Sequence, residues 1–409
     1  MKLSIFTIYL ATALVARAGE VRLTPVSAAE YARRHNPGLA AARFRIEEAR
    51  GRLTQSGRLS NPEFETEFRH SPDFVERKFE VSFVQKFPVT NRLRLEKAIG
   101  RAELAAAQAE VRDAERKVVA LVEVAAIKIV ALEQQRILRD KQLVNSREAA
   151  QAAVKRAAVG EASTVDAAQF ELEARQLETE RLQLDVERAS LVGELRPLLG
   201  LRTSDTLTVS GGLPAPARLP TSKPDVTGRP DVVAARHTAE AAEQSATLAI
   251  KNKWEDFGAG LVTEAERKTD EPEGLVNDYM IGFRISLPLP FWNKNEGRIQ
   301  ETRAAAQRAH KEVEARVVEA AGEAAGARGE MAALANVIAD MDDQLLPKAR
   351  DLETQLRQVY ATGQGTLTEV LRATERRLTL ESRRLDALRD YHLARVRHAT
   401  AVGKPKSRP

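Results

Sequence analysis

The stretch Phe83-Val-Gln-Lys-Phe-Pro88 has a counterpart later in the chain, Phe283-Arg-Ile-Ser-Leu-Pro288. Both stretches end a segment in which apolar and polar residues alternate, and both precede a long stretch rich in Ala, Glu and Arg. The two prolines lie 288 − 88 = 200 residues apart. A repeat of this length predicts two copies of one structural unit, and it favours a tube over a single catalytic pocket.

Strict alternation marks the predicted strands. In the first copy, Phe64, Thr66 and Phe68 alternate with charged residues. A period of two is typical of a strand with one apolar and one polar face, and a length of about ten residues suits a tilted transmembrane β-strand. We predict four strands, at about 62–70, 77–89, 255–266 and 277–289, with the polar residues 268–274 connecting the last two.

Between the strand pairs, apolar residues recur with the period of packed helices. The longest such stretch, 92–158, has an apolar residue at every seventh position from Leu104 to Leu132, which is typical of helices packed along their length. We expect Pro37 and Pro347 to bend or restart their helices. Glycine-centred turns at Gly160 and Gly363, 363 − 160 = 203 residues apart, end the long helices of the two copies.

This reading gives one elongated architecture, a duplicated β-β-α-α unit. The linker contains four prolines, and the N-terminus has a basic residue, an apolar run and a small-x-small site typical of a signal peptide. The predicted parts are a signal peptide (1–18), a first repeat (19–201), an inter-repeat linker (202–228), a second repeat (229–402) and a disordered tail (403–409).

Composition excludes several functions. The chain has 30% charged and 5% aromatic residues, a balance typical of coiled coils. It has no cysteine, which excludes disulfides and thiolate chemistry. Its formal charge of +5 falls to 5 − 2 = +3 without Lys2 and Arg17, so nucleic acid is not an expected partner. The six histidines lack metal-site spacing and no base–nucleophile pair is present, so we expect no metal, cofactor or enzymatic activity.

Four amphipathic strands cannot close a membrane barrel alone, because open strand edges are not tolerated in lipid. Several chains must therefore contribute strands. The predicted fold class is mainly α with a membrane β-barrel shared between chains, and composition does not fix the number of chains.

A set of motifs, in this order and spacing, gives the chain its family resemblance. They are Asn36-Pro37, Leu287-Pro-Leu-Pro-Phe-Trp-Asn-Lys-Asn-Glu-Gly-Arg298, Leu346-Pro-Lys-Ala349, Tyr360-Ala-Thr-Gly363 and Leu367-Thr-Glu-Val-Leu-Arg-Ala373. Over nearly the whole mature chain the sequence resembles TolC-like outer-membrane efflux proteins, and it is most similar to their heavy-metal-efflux branch.

The resemblance implies a homotrimer in the cell outer membrane, with a twelve-stranded barrel in lipid and a long α-helical barrel in the periplasm. It also implies two protein partners, a periplasmic adaptor (membrane fusion) protein and an inner-membrane pump of the resistance-nodulation-division type. The chain would then be a passive conduit, and the exported substrates would include heavy-metal cations.

Two groups of residues match functional positions of the family. The resemblance implies that the hairpin turns dock the adaptor through Val159, Gly160, Glu161, Thr362, Gly363 and Gln364. A purely structural role for these turns stays open, since tight interhelical turns need a left-handed residue.

The second group matches a periplasmic gate, with Asp166, Tyr360 and Glu369 as candidates. An arginine that partners the first two in some relatives is Gly365 here, so that charge-assisted lock cannot form. An acid next to Glu369 in the family's entrance ring is Arg372 here, which leaves cation selectivity by a double acidic ring unsupported. Asp166 and Glu369 are equally compatible with charging or capping a helix start.

One other function stays in competition, a periplasmic coiled-coil adaptor or scaffold. It accounts for the long helical hairpins but not for two pairs of alternating strands. Trp254 and Trp292 flank the second strand pair, where they fit either an interfacial aromatic girdle or simple packing at the strand–helix joint.

Overall fold

The computed structural model describes residues 20–160, 163–217, 225–272 and 274–403. The predicted signal peptide, residues 404–409 of the predicted tail and residues 218–224 of the predicted linker lie outside the described residues. The fold is mostly helical. Its elements in chain order are β1 (Glu20–Leu23), α1 (Pro25–His35), α2 (Pro37–Gln55), β2 (Glu63–His70), β3 (Arg77–Phe87), α3 (Arg92–Ala158), α4 (Thr164–Leu199), β4 (Thr206–Val209), α5 (Pro230–Lys251), β5 (Phe257–Asp270), β6 (Gly274–Ser286), α6 (Glu296–Asp340), a π-helical turn (Met341–Leu345), α7 (Leu346–Ala361) and α8 (Leu367–Val402).

The same order of elements occurs twice. Helix α2, strands β2 and β3 and helices α3 and α4 are followed by helix α5, strands β5 and β6 and helices α6 to α8 in the same sequence of types. The first helical region splits at Pro37, which starts α2 because proline is tolerated in the first turn of a helix.

The strands of the second pair differ from their predicted bounds. The polar residues 268–274 were predicted as a connection, but β5 continues to Asp270 and β6 begins at Gly274. Cross-strand pairs continue to Asp270 and Gly274, and the Lys268 ammonium lies 3.2 Å from the Asp278 carboxylate. At the other end β6 stops at Ser286 rather than at 289, because Pro288 and Pro290 have no N–H to donate.

The second long helix restarts at Pro347, as predicted, since α7 begins with Pro347 in its first turn. The π-helical turn Met341–Leu345, which separates α6 from α7, was not predicted. A π turn inserts one extra residue into the helical repeat, and such turns occur often at functional sites.

The described residues form two compact units. The first consists of the described residues within 1–37, 117–222 and 325–400. One of its cores joins α1, the middle of α3 and the end of α4, and it is centred on Val122, Ile129 and Leu195. A second core joins α6 to α8 around Ile338 and Tyr391.

A parallel pair, β1 with β4, covers one side of the first of these cores. It places Leu23, Leu207 and Val209 in the apolar interior. The sequence reading missed this pair, since β4 lies in the predicted linker and each strand has only four residues. Four residues are too few for alternation to stand out from a loop.

The second unit consists of the described residues within 38–116, 223–324 and 401–409. It contains one antiparallel sheet of four strands in the order β2-β3-β5-β6. The strands β2 and β6 are therefore the two edges. Among the described residues, no helix combines the length and the apolar character that a membrane crossing requires.

One face of this sheet is apolar and exposed. Cross-strand register brings Phe64 opposite Phe83, which in turn pairs with Leu261, and Leu261 pairs with Phe283. Phe283 is 85% exposed and Ile281 is 81% exposed. The opposite face carries charged side chains that pair across strands, namely Lys78 of β3 with Glu264 of β5 and Arg284 of β6 with Glu80 of β3. A contiguous exposed apolar surface of this kind is typical of a face that contacts another protein or a membrane.

Candidate functional site

The turn between α7 and α8 is a compact helix C-cap. The Gly363 N–H donates to the Tyr360 carbonyl (3.0 Å), and the Gln364 N–H donates to the Val359 carbonyl (3.1 Å). This is the hydrogen-bond pattern of a Schellman motif. Gly363 has a φ of 75°, a conformation that residues with a side chain rarely adopt, and no atom lies within 4 Å of the position that a Cβ would occupy. The glycine is therefore needed for its backbone and not for lack of space.

Helix α8 begins with a capping box. The Thr366 N–H donates to the Glu369 carboxylate (3.0 Å), and the Glu369 N–H donates back to the Thr366 hydroxyl (3.3 Å). The backbone N–H and the hydroxyl of Thr366 hold the pKa of Glu369 below its ordinary value. Glu369, a gate candidate, thus has a capping role in this structure.

The turn between α3 and α4 is built on the same principle. Gly160 has a φ of 76°, again with open space around it, and its N–H donates to the Ala157 carbonyl (3.1 Å). The neighbouring Val159 is 70% exposed. Ser163 caps α4 by accepting from the Val165 N–H (3.1 Å). An exposed valine beside a rigid glycine turn gives a small apolar surface that a partner can contact.

This hairpin also contains the candidates Glu161 and Asp166. Glu161 lies outside the described residues, and the position of the Asp166 side chain does too, although its backbone lies in α4. Tyr360 is exposed and lies at the end of α7, next to the crowded Gly365. A Cβ on Gly365 would lie 3.1 Å from Val359 Cγ1 and 3.3 Å from the Tyr360 nitrogen.

Tyr360, Gly365 and Thr366 line a cleft of about 1230 Å³ in the first unit, formed by α3, α4, α7 and α8. The lining of the cleft therefore contains one gate candidate of the second hairpin, Tyr360, together with residues of the first hairpin, such as Phe170. Its charged lining is mainly cationic, consisting of Lys155, Arg156, Arg372, Arg376 and Arg383 with Glu173 and Glu375.

Amide side chains join α3 to α8 along this cleft. Gln142 donates through Nε2 to Glu375 Oε1 (2.9 Å), and Asn145 donates through Nδ2 to the Leu371 carbonyl (3.1 Å). The other oxygen of Glu375 is buried and has no hydrogen-bond partner among the described residues. Burial, followed by the negative charge of Glu173, raises the pKa of Glu375 above its ordinary value.

A buried carboxylate joins α7 to α8. Glu353 is only 8% exposed, and it accepts hydrogen bonds from Arg357 (2.8 Å), Arg377 (2.5 Å) and the Thr374 hydroxyl (2.9 Å). Burial opposes its ionisation, but these three donors outweigh burial and hold the pKa of Glu353 below its ordinary value. A second ion pair joins the two sides of this hairpin. Arg384 of α8 donates two hydrogen bonds to the carboxylate of Asp342, which lies in the π-helical turn.

Sequence reasoning missed both of these polar connections. In the sequence, Glu353 and Arg377 look like members of solvated helix faces, because each lies in a charge-rich stretch. Gln142 and Asn145 lie three residues apart and share a face of α3, but charged and polar neighbours such as Arg139 surround them, so the sequence does not single them out. In the part of the chain that the structure describes, no group of three or more His, Asp or Glu residues is placed to hold a metal ion.

The chain thus has two strand pairs and two long helical hairpins, and each hairpin turns at a glycine. The sequence matches the family model for outer membrane efflux protein over residues 28–201 and 227–404, which is most of the chain. The chain therefore belongs to the outer membrane efflux protein family. Members of this family are channels rather than enzymes, and they work in tripartite systems with an adaptor and an inner-membrane pump.

Solved channel structures share the fold. CusC, described for conformational changes on folding and transmembrane channel formation, is 17% identical, with a TM-score of 0.76 and coverage of 96% of each chain. VceC, an outer membrane protein of Vibrio cholerae, is 21% identical with a TM-score of 0.73, covering 93% of this chain and 96% of its own. The open-state MtrE channel of Neisseria gonorrhoeae is 17% identical with a TM-score of 0.71, covering 93% and 88% respectively. A comparison with curated proteins finds no match.

Proposed function

We propose that the chain is the outer-membrane duct of a tripartite efflux system, in which three copies combine their four strands into a twelve-stranded barrel. The observation that carries this proposal is the amphipathic sheet of the second unit. Its exposed apolar face, with Tyr279, Ile281 and Phe283 in a row, suits lipid, and its charged face suits a water-filled lumen.

The two edges of the sheet support sharing between chains. Among the described residues, strand β2 pairs with β3 alone and β6 with β5 alone, so each edge has backbone N–H and C=O groups without a strand partner. In lipid such groups have to be paired, and joining the β6 edge of one copy to the β2 edge of the next closes a ring. The number three follows from the family, in which homotrimers are typical.

The charged face supports cations as cargo. Register places on it more carboxylates than cations, namely Glu63, Glu65, Glu67, Glu80, Glu264, Glu266, Asp270 and Asp278 against Arg69, Lys78, Lys86, Lys268 and Arg284. A lumen with an excess of carboxylates favours cations over anions. Together with the resemblance of the chain to the heavy-metal-efflux branch, this leads us to propose heavy-metal cations as substrates.

The two hairpin turns are the proposed contact with the periplasmic adaptor. Val159, Gly160 and Glu161 form one contact surface, and Thr362, Gly363 and Gln364 form the other. The hydrogen-bonded cap at Gly363 and the positive φ of Gly160 support this role, because a preorganised turn loses little conformational freedom when a partner binds. Asp166, Tyr360 and Glu369 are the proposed gate positions, and for Tyr360 the support is its exposed place on the cleft.

Single-channel conductance of the purified trimer in a planar bilayer tests the proposed function. Discrete steps of stable size are expected, with cations carrying most of the current. Soluble monomers in a periplasmic extract, with no conductance, would instead favour an adaptor or scaffold. If no conductance is seen, trimming the hairpin tips distinguishes a channel whose tip is closed from a protein that is not a channel. Only the closed channel gains conductance on trimming.

A further inference from the structure

A small cavity lies beside the sheet in the second unit. Its volume is about 270 Å³, and it is formed by residues that follow α5 and by the loop that follows β6. The lining residues are Lys253, Trp254, Leu289, Pro290, Phe291 and Lys294. The lining therefore combines an apolar floor of four residues with two lysines.

The loop that forms the cavity is held in place by one asparagine. Asn295 adopts a φ of 61°, and its side chain donates to the Ala249 carbonyl of α5 (2.8 Å). Its N–H donates to the Asn293 side-chain oxygen (2.9 Å). Phe291 and Trp292 pack edge to face, with their ring centroids 6.1 Å apart. These contacts make the cavity a built feature of the loop–helix joint.

The two lysines of the cavity are not neutralised by the protein. Within the described ranges, neither Lys253 nor Lys294 forms an ion pair or a side-chain hydrogen bond, and no carboxylate lines the cavity. The Lys253 ammonium lies 5.9 Å from the centroid of the Trp254 ring. Two unneutralised cations beside an apolar surface match a ligand with an anionic head and an apolar body.

The position of the cavity indicates where such a ligand would come from. Strand β5 starts at Phe257 and β6 ends at Ser286, so the cavity lies at the end of the sheet where strands join helices. There Phe257 and Phe87 have ring centroids 5.6 Å apart on the apolar face. Trp292 is 95% exposed. An exposed tryptophan with lysines at a strand end is typical of the lipid–water interface.

We propose that this cavity binds an anionic phospholipid, with the phosphate between Lys253 and Lys294 and the start of an acyl chain against Trp254, Leu289 and Phe291. The inference rests on the proposed membrane barrel, whose strand–helix end faces the phospholipid leaflet. Inorganic phosphate would leave the apolar floor unused, and a zwitterionic lipid would leave the lysine charge uncompensated.

The chain has two tryptophans, Trp254 and Trp292, so its fluorescence reports on this region. A Trp292→Phe background leaves Trp254 as the single reporter. The full-length trimer is refolded into phosphatidylcholine bilayers that contain a minor fraction of phosphatidylglycerol, and either lipid is supplied with bromine near the headgroup end of one chain. We expect brominated phosphatidylglycerol to reach half-maximal quenching at a roughly tenfold lower mole fraction than brominated phosphatidylcholine.

Charge variants then test the lysines. The double variant Lys253→Gln, Lys294→Gln should quench equally with either lipid, while Lys251→Gln, a lysine outside the cavity, should keep the preference. Equal quenching in the parent, or a preference that survives the double variant, would overturn the site and leave the barrel supported. A preference abolished by millimolar inorganic phosphate would identify a phosphate site and overturn the lipid assignment. If neither lipid quenches Trp254 but the channel conducts normally, the lipid site alone is overturned. If there is neither quenching nor conductance, the proposed channel function is overturned as well.

Discussion

Gly260 of β5 pairs directly with Val84 of β3, and the two backbones approach so closely that a Cβ on Gly260 would lie 2.9 Å from the Val84 Cα and 2.3 Å from the Phe83 carbonyl oxygen. Backbone atoms cannot move aside as a flexible side chain can. This contact joins the strand pair of the first sequence repeat to that of the second repeat in the same chain, since β3 and β5 are the two central strands of the sheet.

We therefore expect Gly260→Ala to break the β3–β5 pairing and to prevent trimer formation. Gly282→Ala is the matched control, because Gly282 lies in β6 of the same sheet with no atom within 4 Å of its Cβ position. Heat-resistant trimer bands on a gel give the measurement. Trimers in the Gly260 variant as abundant as in the Gly282 variant would contradict the close approach.

Gly363→Val should abolish export while trimers persist. Valine is strained at a φ of 75°, so the turn rearranges, although there is space for its side chain. Gly363→Asn serves as the control, since asparagine tolerates the left-handed region, and it should keep most of the export. Survival of cells expressing each variant on toxic substrate is the readout, and normal export with valine would exclude docking through this turn.

Gly365→Arg should lower the leak conductance if it supplies the lock partner missing beside Tyr360 and Asp166. The added Cβ would crowd Val359 Cγ1 at 3.1 Å, so crowding alone has to be measured separately. Gly365→Ala introduces the same Cβ without charge. A lower conductance with arginine, unchanged with alanine and restored by high salt, supports the gate. Equal conductance in both variants counts against it.

Glu353→Gln should loosen α7 from α8. Removing the charge leaves Arg377 in a half-buried position with a weaker acceptor, which costs about 2 kcal/mol. The lowered pKa of Glu353 means that the folded state favours ionisation, so this contribution is present at neutral pH and is lost as the pH falls through the folded-state pKa. Hydrogen–deuterium exchange of α7 peptides measures the opening. Glu312→Gln, in an exposed pair on α6, should leave exchange unchanged.

Glu375→Gln should stabilise the contact between α3 and α8 at neutral pH. The raised pKa of Glu375 means that the folded state binds the proton more tightly than the unfolded chain, so stability is greatest at low pH and falls as the pH rises through that pKa. The variant should therefore melt above the parent at about pH 8 and match it near pH 4. Glu173→Gln removes a nearby negative charge. In a Glu173→Gln background, the difference in melting temperature between the proteins with and without the Glu375→Gln change should therefore be smaller. A constant difference at all pH values would rule out titration as the cause.

The features that sequence predicts well are those with a local physical cause. Alternation located the strands because each side chain faces either the apolar or the charged side of the sheet, and Gly160 and Gly363 marked turns because only glycine readily has a positive φ. The pairing of β1 with β4 brings together residues far apart in the chain, and nothing local encodes it. The burial of Glu353 depends on how α7 and α8 pack. Pro347 predicted the restart of α7, but no residue pattern marks the π turn Met341–Leu345 that precedes it.

The edges of β2 and β6, which have no strand partner among the described residues, also determine how assembly depends on protein concentration. Under the proposed function a lone chain has no state in lipid with all of its backbone groups paired, so sheet insertion and association of the three copies form one cooperative event. The stability of the barrel then depends on chain concentration, and the yield of refolded channel should fall steeply on dilution. A cell that produces this protein slowly would need to hold early copies away from the bilayer until two more arrive.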